Sequence, residues 1–202
     1  MVTILQEKPL TELYKARRGQ VEFVNVPELA YAVVPGEGDP NGDAFAAAIK
    51  ALYSVSYGAH FLVRKATGAS TKVMPLEALW WVDEGDFAEA ARTQWRWEAM
   101  IVQPDPIDAD TIVEAVAQAR AKGIPSLDDL RYGRRTEGLC AQVLYVGPYA
   151  DEHDTIVMLH AAIASAGYVL RGAHHEIYLG DPRRSAPEKL RTIIRQPVAP
   201  AG

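Results

Sequence analysis

Stretches in which apolar residues recur at every second position give way along the chain to stretches in which they recur every third or fourth. Residues 21–26 and 29–34 are β-rich runs parted by Pro27 and Glu28, and they read as two strands meeting at a bend. A turn cluster, PGEGDPNG, fills 35–42. From Asp43 the period changes, and Phe45, Ile49, Leu52, Tyr53 and Ser56 fall on one helical face, with Gly58 as the stop. Residues 61–63 then resemble a short strand and 68–71 a loop. Residues 77–82 and 95–103 read as further strands, the second ended by Pro104 and Pro106. Asp108 is an N-cap for a helix that turns Ile112, Ala115, Val116 and Ala119 inward and stops at Gly123.

The stretch 125–136 is polar and arginine-rich, which suits a linker or surface loop with Arg131, Arg134 and Arg135 in solvent. Residues 139–146 form a strand and Gly147-Pro148 a turn. Residues 152–166 form a helix with Ile156, Leu159, His160 and Ile163 inward, stopped at Gly167. Residues 168–170 and 176–179 make a hairpin around Arg171-Gly172-Ala173. After Asp181 a helix start at 185–188 precedes an apolar stretch to Val198.

The order strand–helix–strand–strand thus occurs twice, which points to duplication. An offset of 111 places Gly36 on Gly147, Phe45 on Ile156, Leu52 on Ile163 and Tyr57 on Tyr168. Beyond the helix an offset of 99 places Glu77 on Glu176, which assigns about twelve extra residues to the hairpin of the first half. The expected organisation is an N-terminal extension over 1–19 and one α+β domain over 20–202, with antiparallel sheets. Its halves lie at about 20–106 and 137–198. Each half has a sheet with one face covered by its helix, and a ligand cleft is expected where the halves meet.

Composition narrows the function. A chain of 202 residues can bury a real core, and 49% hydrophobic residues with mixed charge is globular rather than disordered. A net charge of −5 disfavours a nucleic-acid-binding surface. The single cysteine, Cys140, lies in an apolar run and reads as a buried, inert thiol. Residues 1–18 carry no apolar core of signal-peptide type, and no stretch is long enough to span a bilayer, so the expected location is cytoplasmic.

Candidate chemistry is sparse. All four tryptophans, Trp80, Trp81, Trp95 and Trp97, fall in one segment, which suits stacking on a planar or cationic ligand and equally suits core packing. Trp80 and Trp81 point to opposite faces of a strand, while Trp95 and Trp97 share one. Glu176 lies in a strand near the expected cleft, where a carboxylate is costly unless it pairs, titrates or serves a ligand; a solvent-facing glutamate is the alternative. His174 and His175 face opposite ways and have no spaced third ligand, so no metal site is expected. Tyr149 either reaches the cleft with its hydroxyl or caps the following helix with its ring. No phosphate-cradling glycine loop, nucleophile–base pair or helix-turn-helix signature is present, and no cofactor is implied.

Four separated segments, PLEALWWVD (75–83), WRWEAMIVQPD (95–105), EGLCAQVLYVGPYADE (137–152) and HHEIYLGDPRRSAPEKLRTIIRQPV (174–198), resemble in order the stand-alone GyrI-like small-molecule-binding proteins. The resemblance runs from about residue 20 onward. It implies a duplicated strand–helix–strand–strand fold with a hydrophobic cleft and a central glutamate, which maps onto Glu176. Relatives fused to DNA-binding domains are effector-binding halves of AraC- and MerR-type regulators. Some solo members are implied to hydrolyse cyclopropane-containing electrophiles with a glutamate and a tyrosine. The tyrosine maps onto Tyr149, with Tyr145 and Tyr178 as near competitors. Relatives often carry histidine where this chain has Tyr145. Trp81, Trp95, Trp97, Tyr145, His174, Tyr178 and Glu77 are the expected ligand-binding residues.

Three functions follow. The first is a binding module for lipophilic aromatic or cationic molecules, the reading that holds whether or not the second, hydrolysis of cyclopropanoid electrophiles, is added to it. The third, the alternative to both, is a protein-interaction inhibitor of the gyrase-inhibitor type. Small molecules are the expected partners, with no direct nucleic-acid or membrane contact and no protein partner identified.

Overall fold

The computed structural model describes residues 9–85 and 90–202, so residues 1–8 of the expected N-terminal extension lie outside the described residues. The chain folds into two units, one formed by residues 29–135 and the other by residues 1–28 with 136–202. The fold class is α+β with antiparallel strand pairing.

Strand β1 (Glu22–Glu37) starts before the 29–135 unit and, within it, leads into helix α1 (Asp43–Thr67), followed by β2 (Leu76–Trp81), β3 (Arg96–Val102) and α2 (Ala109–Ala121). β3 is central: it pairs with β1 from Tyr31↔Val102 to Glu37↔Arg96, and with β2 from Leu76↔Ile101 to Trp81↔Arg96. β1 is one continuous strand rather than two strands at a bend. Pro27 constrains its own φ and removes one N–H, and both are tolerated where a strand needs no ladder bond at that residue.

The expected stop at Gly58 and strand at 61–63 are overturned, because α1 continues for 25 residues to a left-handed cap at Gly68. Gly58 is instead a packing position. A Cβ there would stand 3.4 Å from the Cβ of Ala115 on α2, so the small residue lets the two helices approach closely. Asp108 caps α2 as expected, accepting from the Thr111 amide at 2.9 Å, and Ile112, Ala115 and Ala119 are buried. The expected loop at 125–136 is also corrected: β4 (Arg131–Val146) begins inside it. Arg131 and Arg135 both bind the Glu98 carboxylate on β3, a pairing that makes an arginine-rich segment strand-compatible.

In the other unit β4 is followed by α3 (His153–Ser165), β5 (Tyr168–Leu170), β6 (His174–Tyr178) and β7 (Arg191–Pro200). β7 is central, pairing with β4 (Cys140↔Pro197 to Val146↔Arg191), β6 (His175↔Arg195 to Tyr178↔Thr192) and β5 (Tyr168↔Pro200 to Leu170↔Val198). The expected β5–β6 hairpin does not form, since both strands bond to β7, which lies between them. The expected helix after Asp181 is only a turn of 3-10 helix at Pro187–Lys189, and the apolar stretch beyond it is β7. A short β5 presents too few ladder groups to hold a hairpin, whereas ten residues of β7 offer both partners a full edge.

One face of this sheet packs against α3 through Ala141, Val143, Leu159, Ile163, Ile194 and Val198. Leu144, Ile177 and Ile193 pack on the other side with Tyr14 and Ala16. That second face also buries a charged network. His175 Nδ1 and Glu137 Oε1 are 2.9 Å apart, and Arg195 reaches Glu137 Oε2 at 3.5 Å, Gln142 Oε1 at 3.0 Å and the Leu13 carbonyl at 2.6 Å. Burial would push the Glu137 carboxyl up, but His175 and Arg195 outweigh it and hold it at about 2. The Cys140 thiol nearby is pushed up to about 12 by burial first and by the Glu137 charge second, which makes it inert.

Two outcomes are expected. Gly36→Ala will lower the melting temperature, because a Cβ at Gly36 would overlap the Trp97 ring, and overpacking of this kind costs about 1–3 kcal/mol. Glu137 has its ordinary value of 4.5 when unfolded and about 2 when folded, so its contribution is present above pH 4.5 and is lost as pH falls toward 2. Calorimetric scans across that window should show stability falling in wild type. Glu137→Gln should flatten that fall and cost on the order of 3 kcal/mol at neutral pH, because it leaves Arg195 buried with its charge poorly matched.

Candidate functional site

Strand alternation sorts β6 into two sides. His175 and Ile177 face the charged and apolar network just described, while His174, Glu176 and Tyr178 line the opposite face. Across the β6–β7–β4 register Glu176 stands beside Ile194 and then Val143, which places it on the α3 side. A glutamate with 8% exposure on an otherwise apolar face is an expensive residue, and its neighbours explain how it is held.

His174 Nε2 lies 3.3 Å from Glu176 Oε1. Tyr178 and Glu152 also hydrogen-bond the Glu176 carboxyl. Burial by itself would raise the Glu176 pKa. The His174 hydrogen bond and charge, with the Tyr178 and Glu152 hydrogen bonds, outweigh it and hold the carboxyl below its usual range. Glu176 is therefore an ionised carboxylate in a largely dry setting. Glu152 is the N-cap residue of α3, so the positive end of that helix lies within one side chain of this charge.

The three tyrosines are separated by what they do. Tyr145 donates its hydroxyl to the Pro148 carbonyl at 2.8 Å, and its pKa is raised by burial, then by Asp151 and Glu152, so its proton stays engaged in the turn. It also lines an open groove of about 270 Å³ with Arg18, Asp154 and Met158, a groove that none of Glu152, Glu176 and Tyr178 lines. Tyr178 bonds Glu176 directly. Tyr149, in the 3-10 turn before α3, sets its ring edge-on to Tyr178, with centroids 5.6 Å apart at 80°. Thr192 pairs with Tyr178 across the ladder and so shares its face. It is fully buried, and its hydroxyl has no hydrogen-bond partner among the described residues.

The remaining candidates lie in the 29–135 unit. Glu77 is buried on β2 opposite Met100. Trp80 and Trp97 face each other across β2 and β3, each 2% exposed, and both pack on Phe45 at 5.1 and 5.0 Å. Trp95 precedes β3, sets its edge against Trp80 at 5.6 Å, and lies under the Arg92 guanidinium at 5.7 Å. Trp81 ends β2, half-buried. The structure thus joins Glu176, His174, Tyr178 and Tyr149 in one cluster and Trp80, Trp95 and Trp97 in another.

Glu152 is the residue that sequence reasoning missed. The one local signal was its place: a glutamate at an N-cap, where Ser, Thr, Asp or Asn is preferred, with no side-chain bond to the helix it opens. Among the described residues no group of three or more His, Cys, Asp or Glu could hold a metal ion, and no helix is long and apolar enough to cross a membrane.

The architecture and this buried polar cluster describe a small-molecule-binding domain, and the comparisons agree. The GyrI-like small molecule binding domain matches residues 19–199, and the chain belongs to the GyrI-like family. It is similar to an uncharacterized conserved protein from Listeria innocua, at 33% identity and a TM-score of 0.86, covering 94% of this chain and 97% of that one. A hydrolase from Listeria innocua is 31% identical with a TM-score of 0.80, over 94% and 96% of the two chains. The C-terminal domain of EcmrR shares the fold at 13% identity and a TM-score of 0.56, over 90% and 98%. No curated protein matches the chain.

The geometry predicts that Tyr178→Phe will raise the Glu176 pKa, because a hydrogen bond to the charged form is lost. Carboxyl-carbon NMR titration of Glu176 would read it. An unmoved titration would show that Tyr178 does not hold the charge.

Proposed function

We propose that the chain binds lipophilic aromatic or cationic molecules at the Glu176 cluster and hydrolyses cyclopropanoid electrophiles among them. The observation that carries this reading is a buried carboxylate kept ionised by His174 and Tyr178 beside the aromatic ring of Tyr149. Reaction class is supported by the likeness to the Listeria innocua hydrolase over nearly the whole of both chains.

In a cyclopropane conjugated to a dienone, ring strain and the carbonyl together make one ring carbon electrophilic. Glu176 orients a water and takes its proton as the oxygen bonds to that carbon. The strained carbon–carbon bond breaks, and its electron pair passes through the ring to the carbonyl oxygen, which becomes a phenolate. A tyrosine hydroxyl, Tyr149 in this reading, donates a hydrogen bond to that oxygen as charge develops. The proton on Glu176 returns to the phenolate through solvent, so the sum is substrate plus one water. A carboxyl held low is a weak base. Its use is that it is ionised and fixed in place, and the strained electrophile supplies most of the driving force.

The Arg92 guanidinium lies over the Trp95 ring, and Trp81 and Trp95 are the partly exposed rings of this segment. In this reading the buried Trp80 and Trp97 serve packing.

A chromatographic assay of the purified protein with a cyclopropanoid dienone tests the proposal. Wild type should yield the ring-opened, hydrated phenol. Glu176→Ala should nearly abolish turnover, and Tyr149→Phe should lower it by roughly one to three orders of magnitude, with substrate still bound by both. Because the Glu176 carboxyl is held low, kcat/KM should stay flat from neutral pH down to about 5. Full activity in Glu176→Ala would overturn the mechanism.

A further inference from the structure

A carboxylate has acceptors and no donor, so two carboxyls can be joined by a hydrogen bond only if one of them carries a proton. The Glu152 side chain is hydrogen-bonded to Glu176, and the pair therefore holds one proton and one negative charge. Three features show that this is a built arrangement. Glu152 occupies the N-cap of α3, where a side chain ordinarily accepts from the first helical amides, yet it makes no such bond. Its Oε2 is buried, although the residue sits at a surface turn. The groups around Glu176 in this unit are donors or aromatic edges: His174 and Tyr178 from its own strand, Tyr149 against Tyr178, and the buried Thr192 hydroxyl from β7. With the His174 and Tyr178 donors on Glu176, the charge is placed on Glu176 and the proton on Glu152.

We infer that Glu152 and Glu176 are a proton-sharing pair that gives up its proton when a lipophilic cation binds beside it, making cation uptake at this site proton-coupled. The inference rests on reading the Glu176 cluster as a cation receptor. Two like carboxyls in contact cannot both ionise cheaply, so the shared proton is held well above the range of an isolated carboxyl. An organic cation within about 4–6 Å favours the charged form of a carboxyl by roughly 1–3 pKa units, which is enough to expel such a proton near neutral pH. A neutral aromatic of similar shape supplies no such field and leaves the proton in place. Affinity for cations should consequently rise with pH, approaching about tenfold per unit where one proton is lost per cation bound.

The test uses tetraphenylphosphonium as the cationic probe and triphenylphosphine oxide as the neutral one. Titration calorimetry in buffers of different ionisation enthalpy counts the protons. Wild type should release close to one proton per tetraphenylphosphonium bound at the pH of steepest slope, and none with the phosphine oxide. Glu152→Gln keeps the volume and a donor toward Glu176, so it should still bind the cation but release no proton and lose the pH slope. Cation binding without proton release in wild type, or release that persists in Glu152→Gln, would overturn the inference. Infrared spectroscopy of the ligand-free protein decides the pair on its own. A protonated-carboxyl C=O band should be present at neutral pH, shift in D2O and vanish in Glu152→Gln, and its absence from wild type would overturn the pair. If the band is present and no cation binds, the receptor reading and the coupling built on it fail, while the shared proton stands.

Discussion

Burying an ionised carboxylate is affordable only where charge or hydrogen-bond donors replace the lost water, and the unit containing residues 136–202 does this on both faces of one sheet. On one face Glu137 is matched by His175 and Arg195, with Gln142 and the Leu13 carbonyl taking the remaining guanidinium donors. On the other, Glu176 is matched by His174, Tyr178 and Glu152. The two sets meet at β6, whose successive residues His174, His175 and Glu176 alternate between them. The difference lies in the partners. Glu137 is paired with a guanidinium that never deprotonates, which suits a fixed structural charge. Glu176 is held instead by an imidazole, a phenol and a second carboxyl.

Much of the architecture was legible because periodicity reports burial directly. The strands around Trp97 and Leu144, the helix after Asp108 and the helix over Leu159 and Ile163 all follow from it. The failures share a cause, namely that a residue with two physical uses was assigned the commoner one. Gly58 reads as a helix stop, yet its missing side chain serves the close approach of Ala115 on α2. The twelve residues assigned to a longer hairpin belong to α1, whose 25 residues exceed the 13 of α3 by that amount. Residues 168–179 read as a hairpin by proximity in sequence, but strand pairing is settled by which edge is long and buried, and β7 offers that edge.

The site was partly legible. The sequence marks Glu176 as a carboxylate in a strand and leaves a solvent-facing side open, and only the structure shows it buried. Glu152 carries no such mark, because a glutamate beginning a helix is ordinarily a solvated one, and only the tertiary approach of that turn to β6 reveals its partner. The tyrosines were undecidable for the same reason. Tyr145, Tyr149 and Tyr178 differ in function through the Pro148 carbonyl, an aromatic edge and the Glu176 carboxyl respectively, and none of these contacts is encoded in spacing.

The repeat shows how one copy of a fold can acquire chemistry that its twin lacks. Gly36 and Gly147, aligned by the offset of 111, hold equivalent places: each ends a strand where an aromatic side chain, Trp97 or Tyr145, lies over the backbone and leaves no room for a Cβ. Glu77 and Glu176 are likewise equivalent, each buried on a strand beside the central one, opposite Met100 and Ile194. Around them the copies diverge. The positions of His174 and Tyr178 are Pro75 and Leu79 in the first copy, and those of Tyr149 and Glu152 are Gly38 and Asn41. Asn41 is spent on Asp39 in its own turn, at 2.8 and 3.0 Å. Both copies carry a carboxylate at this position, whereas the donors, the aromatic edge and the second carboxyl are present in one copy only. Each of these groups sits where the scaffold already fixes the backbone, two on the same face of β6 and two in the turn before α3. The cluster could thus be assembled without disturbing the core contacts among Val143, Leu159, Ile163 and Ile194 that hold the strand and helix in place.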